Sequence, residues 1–145
     1  MLLQELVECS VTGKRVLVDF TEKCPVSGRP ALRHEFATCT TCRERVSKAV
    51  MAEGSCAACR GMVKISKDDP RLAWILGEHA GLDRWNSWQL AETSRVYIVQ
   101  ASGLLKRLLV VINKETLAVQ RLASAPRLAS TWVDVPEIAQ AELLQ

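Results

Sequence analysis

The longest uninterrupted apolar stretch is Leu108-Leu109-Val110-Val111-Ile112. With no polar alternation, it predicts a central strand covered on both faces. Arg95-Val96-Tyr97-Ile98-Val99 before it and Leu117-Ala118-Val119-Gln120-Arg121-Leu122 after it read as its neighbours. Ala101-Ser102-Gly103 and Asn113-Lys114-Glu115-Thr116 supply turns, so 94–122 predicts an antiparallel β-meander. Upstream the period changes. Leu72, Ile75, Leu76 and His79 fall on one helical face, with Asp69 as N-cap and Pro70 at the first helical position. Gly81 ends this helix and Asp83 caps a second through Trp85, Trp88 and Leu90, so helices are expected over 70–92. Trp74, Trp85 and Trp88 read as anchors of helix to sheet; a stacking or peptide-binding platform is the other use of such a cluster. His79, on the apolar face, reads as a hydrogen-bonded structural histidine. Residues 123–130 look like a loop, 131–135 like a last strand, and Pro136 opens a short helix through Ile138, Ala139 and Leu143. The tryptophan helices cover one face of the meander. The other needs the N-terminal region, the C-terminal segment, a second subunit or a protein partner.

The first 66 residues are organised as a repeat. Cys9, Cys24 and Cys39 stand fifteen apart, and Cys56 follows after seventeen. Leu2, Leu17 and Leu32 lie seven residues before the first three, and Val16, Ala31, Val46 and Val63 seven after each. Arg15–Phe20 and Ala31–Phe36 read as short strands between turns. The thirteen residues between Cys42 and Cys56 suit a compact hairpin, or a strand with a helical turn through Ser47–Met51.

Chemistry enters with Cys39-Thr40-Thr41-Cys42 and Cys56-Ala57-Ala58-Cys59. Two Cys-x-x-Cys pairs at this spacing form a four-thiolate cage for a tetrahedral Zn²⁺. Four protein thiolates leave no coordination position for water, which points to a folding role and away from zinc catalysis. A single pair of this kind could serve thiol redox chemistry; two at this spacing favour metal. Around each cysteine the context recurs as Cys9-Ser-Val-Thr-Gly13-Lys14, Cys24-Pro25-Val-Ser27-Gly28-Arg29, Cys39-Thr-Thr-Cys42-Arg43 and Cys56-Ala-Ala-Cys59-Arg60-Gly61. This resembles the knuckle of zinc-ribbon proteins over about residues 1–65. The resemblance implies tight turns with Gly13 and Gly28 at the positive-φ position and backbone N–H groups aimed at sulfur. It also implies two paired-knuckle units: an intact one from Arg29 to Lys67, and a degenerate one from Met1 to Gly28 in which Thr12 and Ser27 replace the second ligands. For Cys9 and Cys24 three states are open: metal-free and packed, a second metal site that recruits His34, or a disulfide. Arg43, Arg45 and Arg60 lie close enough in sequence to offset the charge of the cage, or form a solvated face.

The expected fold is therefore α+β in two domains. Residues 1–67 form a tandem zinc-ribbon-like β module, and 68–145 a small helix and β-meander domain. The chain carries a net charge of +3. Residues 1–67 hold eleven Lys/Arg against seven Asp/Glu, a net +4, and the rest a net −1. An early Glu5 and no basic leader make a poor export signal, and no apolar run is long enough to span a bilayer. Thiols in metal spacing fit a reducing compartment, so a soluble cytoplasmic protein without membrane attachment is expected. No phosphate-binding glycine loop or catalytic histidine motif appears. These features lead to a non-enzymatic zinc adaptor. It would be associated with nucleic acid, or with a larger nucleic-acid-processing assembly, through Lys14, Arg15, Arg29, Arg33, Arg43, Arg45 and Arg60. A protein-interaction or oligomeric scaffold module is the alternative.

Overall fold

The structure, a computed structural model, describes residues 5–129 and 131–145. Leu2, the first leucine of the repeat, lies outside them. The chain forms two compact units, Met1–Gly61 and Met62–Gln145. The division falls before the expected boundary at Lys67 because Val63–Ile65 is a strand of the second unit's sheet.

The described part of the first unit is a run of hairpins: β1 (Leu6–Glu8) with β2 (Arg15–Leu17), β3 (Thr21–Lys23) with β4 (Pro30–Leu32), β5 (Phe36–Thr38) with β6 (Arg45–Ser47), and β7 (Met51–Ala52) with β8 (Ser55–Cys56). Single 3-10 turns, Val18–Phe20, Arg33–Glu35 and Lys48–Val50, link one hairpin to the next, and α1 (Ala57–Arg60) follows the last. The expected six-residue strands are thus bent after three residues. Pairing recurs with the sequence period, as Leu6↔Leu17, Thr21↔Leu32 and Phe36↔Ser47.

Each of the first three hairpins closes through the same turn. The cysteine N–H donates to the carbonyl five residues on: Cys9 to Lys14 at 2.9 Å, Cys24 to Arg29 at 3.0 Å, Cys39 to Glu44 at 3.0 Å. The residue that closes the turn back onto the cysteine carbonyl has positive φ: 75° at Gly13, 71° at Gly28 and 60° at Arg43. The fourth hairpin has lost this turn and reverses on Glu53-Gly54, with φ of 53° and 84°, as a two-residue hairpin loop requires.

Consecutive hairpins are joined by one recurring bond. The N–H of Leu32 donates to Cys9 Sγ at 3.4 Å, that of Ser47 to Cys24 Sγ at 3.3 Å, and that of Cys56 to Cys39 Sγ at 3.3 Å. The array is therefore continuous rather than two paired units. Cys56 pairs with Met51 and occupies the station of Leu17, Leu32 and Ser47, not that of the knuckle cysteines. The shortened fourth turn is what shifts it there.

The second unit is a six-stranded antiparallel sheet in sequence order: β9 (Val63–Ile65), β10 (Ser87–Glu92), β11 (Val96–Ser102), β12 (Lys106–Asn113), β13 (Val119–Pro126) and β14 (Val133–Asp134). Helix α2 (Pro70–Glu78) lies between β9 and β10, and α3 (Glu137–Leu144) ends the chain. Asp69 caps α2 by accepting from the Arg71 N–H at 2.9 Å. A 3-10 turn, Ala80–Arg84, follows. The expected second helix is replaced by β10. Trp88 and Leu90 point to the core and Gln89 away from it, the period of a strand.

Leu72, Ile75 and Leu82 pack against Tyr97, Val99, Ala101, Leu108, Val110, Ile112 and Leu122. The alternate residues Val96, Ile98, Leu109, Val111 and Ala123 are equally buried, so the second sheet face is not bare. Trp88 anchors the core and donates through Nε1 to the Leu82 carbonyl at 3.0 Å, whereas Trp74 is exposed. His79 ends α2 with Nε2 2.7 Å from the Leu117 carbonyl.

Gly81 has a steric reason to be glycine, because a Cβ there would collide with the carbonyl oxygen of Leu143 in α3. Gly81→Ala is expected to push α3 away and lower stability by about 1–3 kcal/mol. A thermal melt followed by tryptophan fluorescence checks this; an unchanged midpoint would mean that α3 does not bear on this turn.

Candidate metal centre

The third knuckle carries Cys39 and Cys42, Cys56 ends β8, and Cys59 lies in α1. The knuckle is held to the fourth hairpin by Thr40, whose N–H and hydroxyl both donate to the Gly54 carbonyl at 2.9 Å, and by the Thr41 and Ser55 hydroxyls, 3.2 Å apart. Arg60 closes the far side, donating to the carbonyls of Ser55 at 3.3 Å and Val50 at 3.1 Å. These contacts bring the two Cys-x-x-Cys pairs face to face. Cys39 Sγ lies 3.7 Å from Cys59 Sγ and Cys42 Sγ 3.9 Å from Cys56 Sγ, and all four sulfurs are within 4.8 Å of one another. A tetrahedral ion with 2.3 Å bonds to sulfur sets edges of about 3.8 Å, against about 2.05 Å for a disulfide. The four sulfurs can hold a metal ion. Cys39, Cys42 and Cys56 are buried and Cys59 is partly exposed.

Among themselves the four thiols ionise unequally. Hydrogen bonds from Cys42, then Cys56 and Cys59, hold Cys39 far below the usual thiol range. Cys42 and Cys59 are pushed above it, each mainly by Cys39. At Cys56, Cys39 pushes upward while Cys42 and Cys59 pull downward, and the net is about 7. A divalent cation removes this conflict, since it favours the thiolate at every position.

Cys9 and Cys24 are not brought to a metal. Both thiols are free, and among the described residues neither belongs to a ligand cluster. His34 is exposed beside Glu35, 3.3 Å away, and does not join them. Each sulfur sits instead in a nest of donors. Burial raises Cys9, but the Thr12 hydroxyl and the N–H groups of Leu32, Thr12 and Val11 outweigh it and bring the thiol to about 7. Burial likewise raises Cys24, which the N–H groups of Ser27, Ser47 and Val26 and the Ser27 hydroxyl bring below its ordinary value. Thr12 and Ser27, poor ligands at the second-ligand position, are thus good donors to sulfur. Their spacing from the cysteines was the available signal for this role. The partners Leu32 and Ser47 carried none, because they contribute only backbone.

The basic candidates disperse. Arg45 pairs with Glu22, donates to the Arg33 carbonyl at 2.6 Å and lies 4.7 Å over the Phe36 ring. Arg60 is used on carbonyls, so neither is turned onto the sulfurs. Arg43 occupies the positive-φ place of the third turn. Lys14, Arg15, Arg29 and Arg33 are exposed. With the boundary at Gly61, the first unit holds nine basic and seven acidic residues, a net +2, and the second ten and nine, a net +1. Most of the expected charge asymmetry lay in Lys64 and Lys67, which belong to the second unit.

No family model, curated protein or solved structure matches the chain. Among the described residues no helix is long and apolar enough to cross a membrane.

Proposed function

We propose that the chain is a non-enzymatic zinc-binding adaptor in which Zn²⁺ on Cys39, Cys42, Cys56 and Cys59 clamps the short fourth hairpin to the third. The observation that carries this is the set of sulfur separations, 3.7 and 3.9 Å, which match the edges of a four-thiolate zinc tetrahedron. The fourth hairpin needs such a clamp, since β7 and β8 have two residues each. Four soft ligands in a tetrahedron also accept iron. Elemental analysis of purified protein is therefore the test: about one zinc per chain is expected, and iron or no metal would overturn the assignment.

For the partner, a protein is favoured over nucleic acid. Arg45 and Arg60 are engaged within the array, and the two units differ by a single charge. The nucleic-acid reading rests on Lys14, Arg15, Arg29, Arg33 and Arg43, which the array leaves exposed. Fluorescence anisotropy with labelled single- and double-stranded DNA and RNA at low salt is expected to show no saturable binding. Binding that weakens steeply with salt, and is lost in Lys14→Glu/Arg29→Glu, would restore nucleic acid as the partner.

A further inference from the structure

Three of the exposed apolar side chains of the second unit lie at two neighbouring turns. Leu104 and Leu105, 78% and 85% exposed, form the tip between β11 and β12, and Leu128, 98% exposed, follows β13. The Arg127 N–H donates to the Leu105 carbonyl at 3.0 Å, which ties the two turns into one platform. Beside Leu104 and Leu105 runs a groove of about 350 Å³, walled by Trp85 and Leu143, with Arg84 and Lys106 lining it and no acidic residue among its lining. Helix α3, which contributes Leu143 to that wall, carries the opposite pattern on its outside. Ile138 is 90% exposed, and Glu137 beside it and Glu142 one turn on are exposed as well.

We propose that this groove is a self-association surface whose occupant is α3 of a second copy of the chain. Ile138 is the apolar anchor that enters between Leu105 and Leu143, and Glu137 and Glu142 meet Lys106 and Arg84. Groove and helix are neighbours on one unit, so a two-fold axis lets each copy fill the other's groove and closes the assembly at a dimer. The charges select the partner and its orientation, and the leucines and isoleucine supply the burial. The surface is small, so the dimer is weak and concentration-dependent. The proposal does not depend on the metal centre.

Sedimentation velocity of the full metal-loaded chain over a wide concentration range tests this. The mass is expected to rise from one chain toward two. Ile138→Asp and Leu105→Asp, both at exposed positions and verified as folded by tryptophan fluorescence, should each weaken the dimer about tenfold or more. Lys106→Glu should weaken it too, and Lys106→Glu combined with Glu137→Lys should recover much of the loss. A monomer at every concentration would overturn the proposal, and so would a dimer indifferent to Ile138→Asp and Leu105→Asp. Masses that continue past two chains would overturn the closed arrangement, and failure of the charge reversal to rescue would overturn the pairing of α3 with the groove.

Discussion

Cys56→Ser is expected to release the metal and unfold the third and fourth hairpins while the second unit stays folded. Cys56 has two tasks in the structure: its sulfur stands 3.9 Å from that of Cys42, and its N–H donates to Cys39 Sγ. Serine keeps the N–H but replaces a soft thiolate by a poor neutral ligand. Structural zinc contributes apparent free energies of about 10–16 kcal/mol in small modules, far more than two-residue strands recover by pairing. The two units can be read separately because all four tryptophans, 74, 85, 88 and 132, lie in residues 62–145. Elemental analysis should show loss of zinc, and hydrogen exchange should show loss of protection across residues 36–61. Tryptophan emission should stay native, since the sheet and α2 bury a core of their own. Chelation of the wild-type chain should reproduce the same pattern. Retained metal, or protected amides across 36–61 without it, would sink the clamp.

Cys24→Ala should act in the opposite way: lower stability with zinc content unchanged. The Cys24 sulfur is buried and accepts from the Ser47 N–H at 3.3 Å, with further donors at Ser27 and Val26. Alanine leaves the buried Ser47 N–H without an acceptor, at about 1–3 kcal/mol, while the more exposed donors at Ser27 and Val26 can turn to water. A loss of about 1–3 kcal/mol in the first unit is expected, measured by hydrogen exchange of residues 21–47 alongside elemental analysis. Loss of zinc would instead make Cys24 part of a metal site.

The contrast between these two cysteines shows how far local sequence reaches. Cys39, Cys42, Cys56 and Cys59 were legible as a set of thiols able to hold a metal ion because the chemistry and spacing of two Cys-x-x-Cys pairs are local properties. The cap at Asp69-Pro70 and the positive-φ turns at Gly13 and Gly28 were legible for the same reason. Cys24 looked like a remnant because one of its partners is a backbone N–H twenty-three residues away, and backbone donors leave no trace in the side-chain pattern. Trp85 and Trp88, three apart, imitated a helical face, whereas pairing with β9 and β11 makes 87–92 a strand.

By itself the sequence determined the repeat, the four-thiol set, the capped helix and the buried strand Leu108–Ile112, since each depends on residue type and short-range spacing. Only the tertiary structure decided that the hairpins form one continuous array, that Cys56 occupies a return-strand station rather than a fourth knuckle, and that Val63–Ile65 belongs to the second unit. Those outcomes depend on strand register and on hydrogen bonds between residues distant in the chain. Shortening the turn from six residues to two alters that register while leaving the composition around each cysteine almost the same.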